Sequence, residues 1–182
     1  QMCIRDRLGS VLFLKYDALT SVRLTNQQIQ IVDQQNRNPR EAVCGNVVNG
    51  ISPGCIYGTG PVKAIVIGDS HAQAQVSTIG DIAKNHGGSV LDFGLSACST
   101  IKGLYSVGRG NNCGKLVENA IDISAKQYPN VPIIVINRTS QNLYGINEDK
   151  DSLLSPPTMF VDEVFTKRND EYRTNLTGHM VN

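Results

Sequence analysis

Residues 62 to 72 read Val-Lys-Ala-Ile-Val-Ile-Gly-Asp-Ser-His-Ala, and this stretch decides the architecture. A compact β-branched run, 62 to 67, stops at Gly68-Asp69-Ser70-His71, and helical spacing then continues to His86 through Ala72, Val76, Ile79, Ile82 and Ala83. The pattern is strand, tight turn, helix. Downstream it recurs: residues 89 to 93 form a second short strand after Gly87-Gly88, residues 116 to 128 a second helix, and residues 131 to 136 a third buried strand. Strands alternating with helices predict βαβ units, a parallel sheet and a three-layer α/β/α fold.

In such a sheet the carboxyl ends of the strands share one rim, where ligands of open α/β folds bind. Residues 68 to 71, 94 to 100 and 137 to 140 are expected to converge there. Ser70 falls where strand becomes helix, which exposes its hydroxyl beside backbone N–H groups and the positive helix end. Two roles suit it: a nucleophile, or a plain helix cap.

The chain has 182 residues, 40% of them hydrophobic, and 17 Lys+Arg against 16 Asp+Glu. That suffices for one core. The dispersed charge lacks the basic concentration that binds nucleic acid. The longest apolar stretch, Val11 to Leu14 near Leu8, falls far short of the ~20 residues that cross a bilayer. Residues 1 to 7, with Met2-Cys3-Ile4-Arg5-Asp6-Arg7, resemble the translation of a sequencing adapter and are set aside. Residues 8 to 60 read as a linker or capping segment with a disulfide loop, and 61 to 182 as the α/β domain, taken as partial.

Without Cys3, four cysteines remain, in two local pairs: Cys44 with Cys55 and Cys98 with Cys113. Four cysteines allow three connectivities, and the local pairing is favoured. Neither pair has zinc-ligand spacing, so no metal is expected. Two disulfides would place the protein in an oxidising compartment.

The block Ala64 to Ala72, with its Gly-Asp-Ser-His-Ala core, resembles the first block of the SGNH (GDSL-type) hydrolase superfamily. It is similar to the extracytoplasmic SGNH domains fused to acyltransferase family 3 membrane proteins. Cys44 and Cys55 upstream, Ser96-Ala97-Cys98 after the second strand, Cys113, and Arg138 after the third extend the likeness over about residues 40 to 180. The resemblance implies a covalent acyl-serine on Ser70, with the Ser70 N–H as one oxyanion donor. It aligns the family's second-block glycine with Ala97, Gly94 being the alternative, and its third-block asparagine with Asn137, although Arg138 or Thr139 could lie nearest the site. Asp69 would orient the turn, and His71 would sit at the helix start or substrate edge. The implied activity is a serine O-acyltransferase or esterase without cofactor. It would take an acetyl group relayed from a membrane domain and pass it to cell-envelope saccharides of the O-antigen or lipopolysaccharide type, on the periplasmic face of the inner membrane. The family's general base comes from a late Asp-x-x-His block. Neither His179, expected on a helix over 170 to 181, nor His86 stands in one, so the chain is expected to stop before its base, with the C-terminal part of the domain missing and no turnover by this stretch alone.

Three other readings remain. One is a carbohydrate or lipid ester hydrolase. Asp69-x-His71 after a buried strand also resembles the first ligand block of two-metal phosphoesterases, although Gly80-Asp81-Ile82-Ala83-Lys84 lacks the later aspartate that a bridged pair of metals requires. The last is a non-catalytic saccharide-binding module.

Overall fold

A computed structural model describes residues 25–33 and 38–180. The adapter-like residues 1 to 7 lie outside the described residues. Two compact units divide the chain, 1–37 and 38–182.

In the first unit, α1 spans Asn26–Asp33. The sequence reading placed a linker or cap there. A reciprocal capping box starts the helix: Thr25 N–H donates to Gln28 Oε1 at 2.8 Å, and Gln28 N–H donates to Thr25 Oγ1 at 3.2 Å.

The second unit runs α2 Glu41–Cys44, β1 Cys55–Gly58, β2 Val62–Gly68, α3 Ser70–Asn85, β3 Ser89–Asp92, β4 Tyr105–Ser106, α4 Asn112–Gln127, β5 Ile133–Ile136, α5 Thr139–Tyr144, α6 Lys150–Leu154, β6 Met159–Phe160 and α7 Asp170–Gly178. The main sheet has the order β1-β3-β2-β5. β2 runs parallel to both β3 and β5, aligning Ile65 with Leu91 on one side and with Ile133 on the other. This is the expected α/β class. β1, which the sequence reading left inside a linker segment, adds an antiparallel edge with Cys55 opposite Asp92. A separate two-stranded ribbon joins β4 to β6.

Alternating side chains on the strands feed two layers. Val66 and Val90 pack with Ala72 and Val76 of α3, together with Tyr57 and the sulfurs of Cys44 and Cys55. Ile65, Ile67, Leu91 and Phe93 face the other way, onto Ala120 of α4. A third cluster joins Leu95, Ile101 and Leu116 to Tyr172 and Leu176 of α7. Disulfides link Cys44 to Cys55 and Cys98 to Cys113, the local pairing.

Some expectations are corrected. β5 is not a buried strand: its pattern alternates, with Ile133 37% and Val135 39% exposed, because among the described residues its only strand neighbour is β2. α3 begins two residues earlier than periodicity suggests, since Asp69 caps it. α4 begins four residues earlier, where Gly114 lets the helix approach Leu104: a Cβ there would lie 2.5 Å from the Leu104 nitrogen. α7 stops at Gly178, leaving His179 as its C-cap. No helix among the described residues is long and apolar enough to cross a membrane.

Candidate active site

The site begins with a glycine that has no room for a side chain. A Cβ on Gly68 would stand 1.9 Å from the carbonyl oxygen of Ile136. Only glycine lets β2 and β5 close at this point. The next residue, Asp69, is 6% exposed. Its Oδ1 accepts from His71 N–H at 2.8 Å, the N-cap bond of α3, and its Oδ2 accepts from Arg138 N–H at 2.7 Å. One carboxylate thereby joins the start of α3 to the end of β5. Ser70 follows as the first residue of the helix, exposed. Its N–H is an orphan of the first turn, and it donates to no acceptor among the described residues.

The second strand supplies the 94–97 loop, and buried polar groups hold it. Asp92, 1% exposed, accepts from Gly94 N–H at 2.8 Å through Oδ1 and from Gln73 Nε2 at 3.1 Å through Oδ2. Gln73 Nε2 also donates to the Gly94 carbonyl at 2.7 Å. Asn38 donates to Gln73 Oε1 at 3.2 Å and to the Tyr57 hydroxyl at 2.7 Å, and the Arg40 guanidinium lies 4.6 Å above the Tyr57 ring. Both polar backbone groups of Gly94 are thus committed inside the protein. A Cβ on Gly94 would meet Gln73 Nε2 at 2.8 Å, so the clamp requires glycine. Burial pushes the Asp92 carboxyl up to about 6, against the hydrogen bonds from Gly94 and Gln73 that favour its charged form.

Beyond the clamp, Leu95 N–H donates to the Gly68 carbonyl at 2.9 Å, which fastens the loop to the end of β2. Ala97 is exposed with φ of 60°, the left-handed conformation that glycine adopts most easily. Its N–H has no acceptor among the described residues. Cys98 then fixes the loop to α4 through Cys113.

β5 delivers Asn137. Its Oδ1 accepts from Thr100 N–H at 3.3 Å and from Thr100 Oγ1 at 3.2 Å. A backbone N–H can only donate, so the amide oxygen must face Thr100 and the NH2 group must face away. That NH2 has no partner among the described residues. Arg138 sends its side chain to Glu148, Nε to Oε1 at 3.0 Å, and to the Ile146 carbonyl.

The three strand ends therefore meet on one rim, and at or just beyond those ends the N–H groups of Ser70 and Ala97 and the NH2 of Asn137 have no acceptor among the described residues. A concentration of aimed N–H groups beside a hydroxyl can stabilise an oxyanion formed by attack of that hydroxyl on a carbonyl. The histidines are elsewhere engaged. His71 Nδ1 lies 3.0 Å from Asp69 Oδ1, His86 caps the end of α3, and His179 Nε2 lies 3.6 Å from Asp162. No histidine hydrogen-bonds to Ser70 among the described residues. As for a metal centre, both Asp69 oxygens already accept N–H bonds, and the described residues gather no group of three or more His, Cys, Asp or Glu side chains able to hold an ion.

Sequence reasoning missed Gln73, Asp92 and Thr100. Asp92 carried a signal: a charged residue closing the apolar strand Ser89–Asp92, where burial of a carboxylate needs committed partners.

The fold and this bend define an α/β protein of the kind that presents a serine where a parallel strand passes into its helix. The family model described as "SGNH domain (fused to AT3 domains)" matches residues 36–178. The chain belongs to that family, whose members are hydrolases and acyltransferases. No curated protein and no solved structure matches it.

Proposed function

We propose that the domain carries acyl groups on Ser70 and transfers them to saccharide hydroxyls of the cell envelope, on the periplasmic side of the bacterial inner membrane. Ser70 Oγ attacks the acyl carbonyl, and the bond from that carbon to the donor breaks as the donor leaves with a proton. The sugar hydroxyl then attacks the acyl-serine, restoring Ser70 and leaving an ester on the saccharide. The N–H groups of Ser70 and Ala97 and the NH2 of Asn137 hold the carbonyl oxygen while it is negative. What supports this reading is that the ends of β2, β3 and β5 are hydrogen-bonded together beside an exposed Ser70, and that the N–H groups of Ser70 and Ala97 and the NH2 of Asn137 have no acceptor among the described residues.

Ala97 takes the glycine's place in the loop, and its positive φ supports that alignment, since the backbone keeps the conformation glycine would give. Gly94 is unsuited to the role because its N–H is bound to Asp92. The fusion of the family to AT3 domains supports an acetyl group handed over by a membrane acyltransferase, and the disulfides support an oxidising compartment. No cofactor enters this chemistry.

The test uses a fluorophosphonate, whose phosphoryl oxygen takes the oxyanion's place, with imidazole supplied in solution as general base, since no histidine hydrogen-bonds to Ser70 among the described residues. Peptide mass spectrometry should find one adduct, on Ser70, unaffected by chelator and lost in Ser70→Ala. Asn137→Ala should slow its formation by roughly 100-fold. An adduct that survives Ser70→Ala, or a Ser70 that never reacts, would overturn the proposal.

A further inference from the structure

Between α2 and the 94–97 loop lies a cavity of about 250 Å³, to which Glu41, Ala42, Gln73, Leu95, Ser96 and Arg109 contribute. Gln73 stands one helical turn beyond Ser70, and Leu95 and Ser96 precede Ala97 in the same loop. The cavity therefore borders the rim described above.

Its lining is chemically specific. Gln73 is spent, with both amide ends bonded inside the protein. It forms a rigid floor. Glu41 accepts from Ser96 Oγ at 2.9 Å through Oε1, and its Oε2 has no partner among the described residues. The Arg109 guanidinium makes no hydrogen bond or ion pair among the described residues either. A carboxylate oxygen that accepts and a guanidinium that donates thus flank one small space, on α2 and on the turn after β4, without pairing with each other.

Three ligand chemistries can be compared with this lining. An acyl chain needs a dry apolar wall, and Leu95 and Ala42 are too little of one. A free anion would suit Arg109 but meet Glu41 at close quarters. A hydroxylated ring both donates and accepts at neighbouring positions, which suits Glu41 and Arg109 together. The volume lies just under the ~300 to 1,000 Å³ of drug-sized sites, which is the scale of one sugar ring.

We propose that this cavity seats the acceptor: one neutral pyranose unit held between Glu41 and Arg109, with a hydroxyl directed past Ser96 toward Ser70. The inference rests on the acyl-serine reading and adds where the second substrate binds.

The experiment measures saturation transfer by NMR from the protein to methyl α-glucopyranoside and methyl α-galactopyranoside, beside fluorophosphonate labelling of the same samples. Ala42 is exposed, so Ala42→Trp fills the cavity from outside without disturbing the core. Saturation transfer to at least one glycoside should be present in the parent chain, abolished by Ala42→Trp, and weakened tenfold or more in affinity by Arg109→Ala and by Glu41→Ala. Labelling of Ser70 should stay within twofold in Ala42→Trp. Binding that survives Ala42→Trp, or binding of acetate in place of both glycosides, would overturn the cavity assignment. Binding that follows the prediction while Ser70 never labels would leave the cavity standing and sink the acyl-serine reading instead.

Discussion

β2 and β5 are hydrogen-bonded neighbours that share an Ile/Val run, and those runs live in different environments. Ile65, Val66 and Ile67 of β2 are at most 1% exposed, whereas Ile133 and Val135 of β5 are 37% and 39% exposed. β2 has a strand on each side and helices over both faces, while β5 has a single strand neighbour among the described residues. The same apolar run serves as the centre of the sheet or as its margin, according to position alone. For the site this means that Ser70 is presented by a strand fixed through burial. Asn137 and Arg138 are instead held in place by individual hydrogen bonds to Thr100 and Asp69.

Ile65 and Ile133 face each other in register, which allows a controlled test of that difference. Ile65→Ala should cost about 2 to 5 kcal/mol in urea unfolding, as for a fully buried isoleucine. The Cys98–Cys113 bond, on the buried side, comes next. It closes a separation of 15 residues, and replacing both cysteines by serine should cost about 3 kcal/mol. A much smaller loss would mean that the 94–97 loop is held by the Asp92 clamp alone.

Asp92 gives a pH-dependent version of the same contrast, since nothing comparable is buried at β5. With its carboxyl pushed up to about 6 in the folded chain against 3.8 as the ordinary value, the native state binds the additional proton between about pH 4 and pH 6. Its contribution to stability is therefore full below that window and falls as pH rises through it. The loss is up to about 3 kcal/mol, with no further change above the window. The difference between parent and Asp92→Asn, followed by urea unfolding from pH 4 to pH 7, should carry this slope. A flat difference would show that burial is not governing the group.

The smallest effect belongs to the margin. Ile133→Ala should cost about 1 kcal/mol or less, in line with a half-exposed position. If it cost as much as Ile65→Ala, β5 would be covered in solution, and the comparison between the strands would fail.

The residues most legible from sequence were those where local and long-range demands coincide. A β-branched run ending in Gly-Asp-Ser fixed β2, the bend and the start of α3, because each of those residue types has one natural place there. The rim itself followed from parallel strands alone, so the positions of Ser70, Ala97 and Asn137 could be expected to draw together. β1 was illegible because its four residues, Cys-Ile-Tyr-Gly, form no run, and its strand character comes from pairing with β3. The two-residue strands β4 and β6 and the short helices α5 and α6 lack enough length for any period to show. The marginal position of β5 escaped because exposure is decided by neighbours. Gln73, in the middle of an apparently ordinary helix, escaped for the same reason: its partners Asp92, Gly94 and Asn38 are distant in sequence.

Asp69 has a consequence for how the chain reaches this arrangement. Its two oxygens are satisfied together only when β5 lies in the correct alignment, since a shift of one residue would carry the Arg138 amide out of range and turn every β5 side chain over. A misaligned species would thus leave Asp69 Oδ2 without the Arg138 partner in a nearly closed space. The alignment of β5 and the start of the helix that presents Ser70 are thereby tied to one carboxylate.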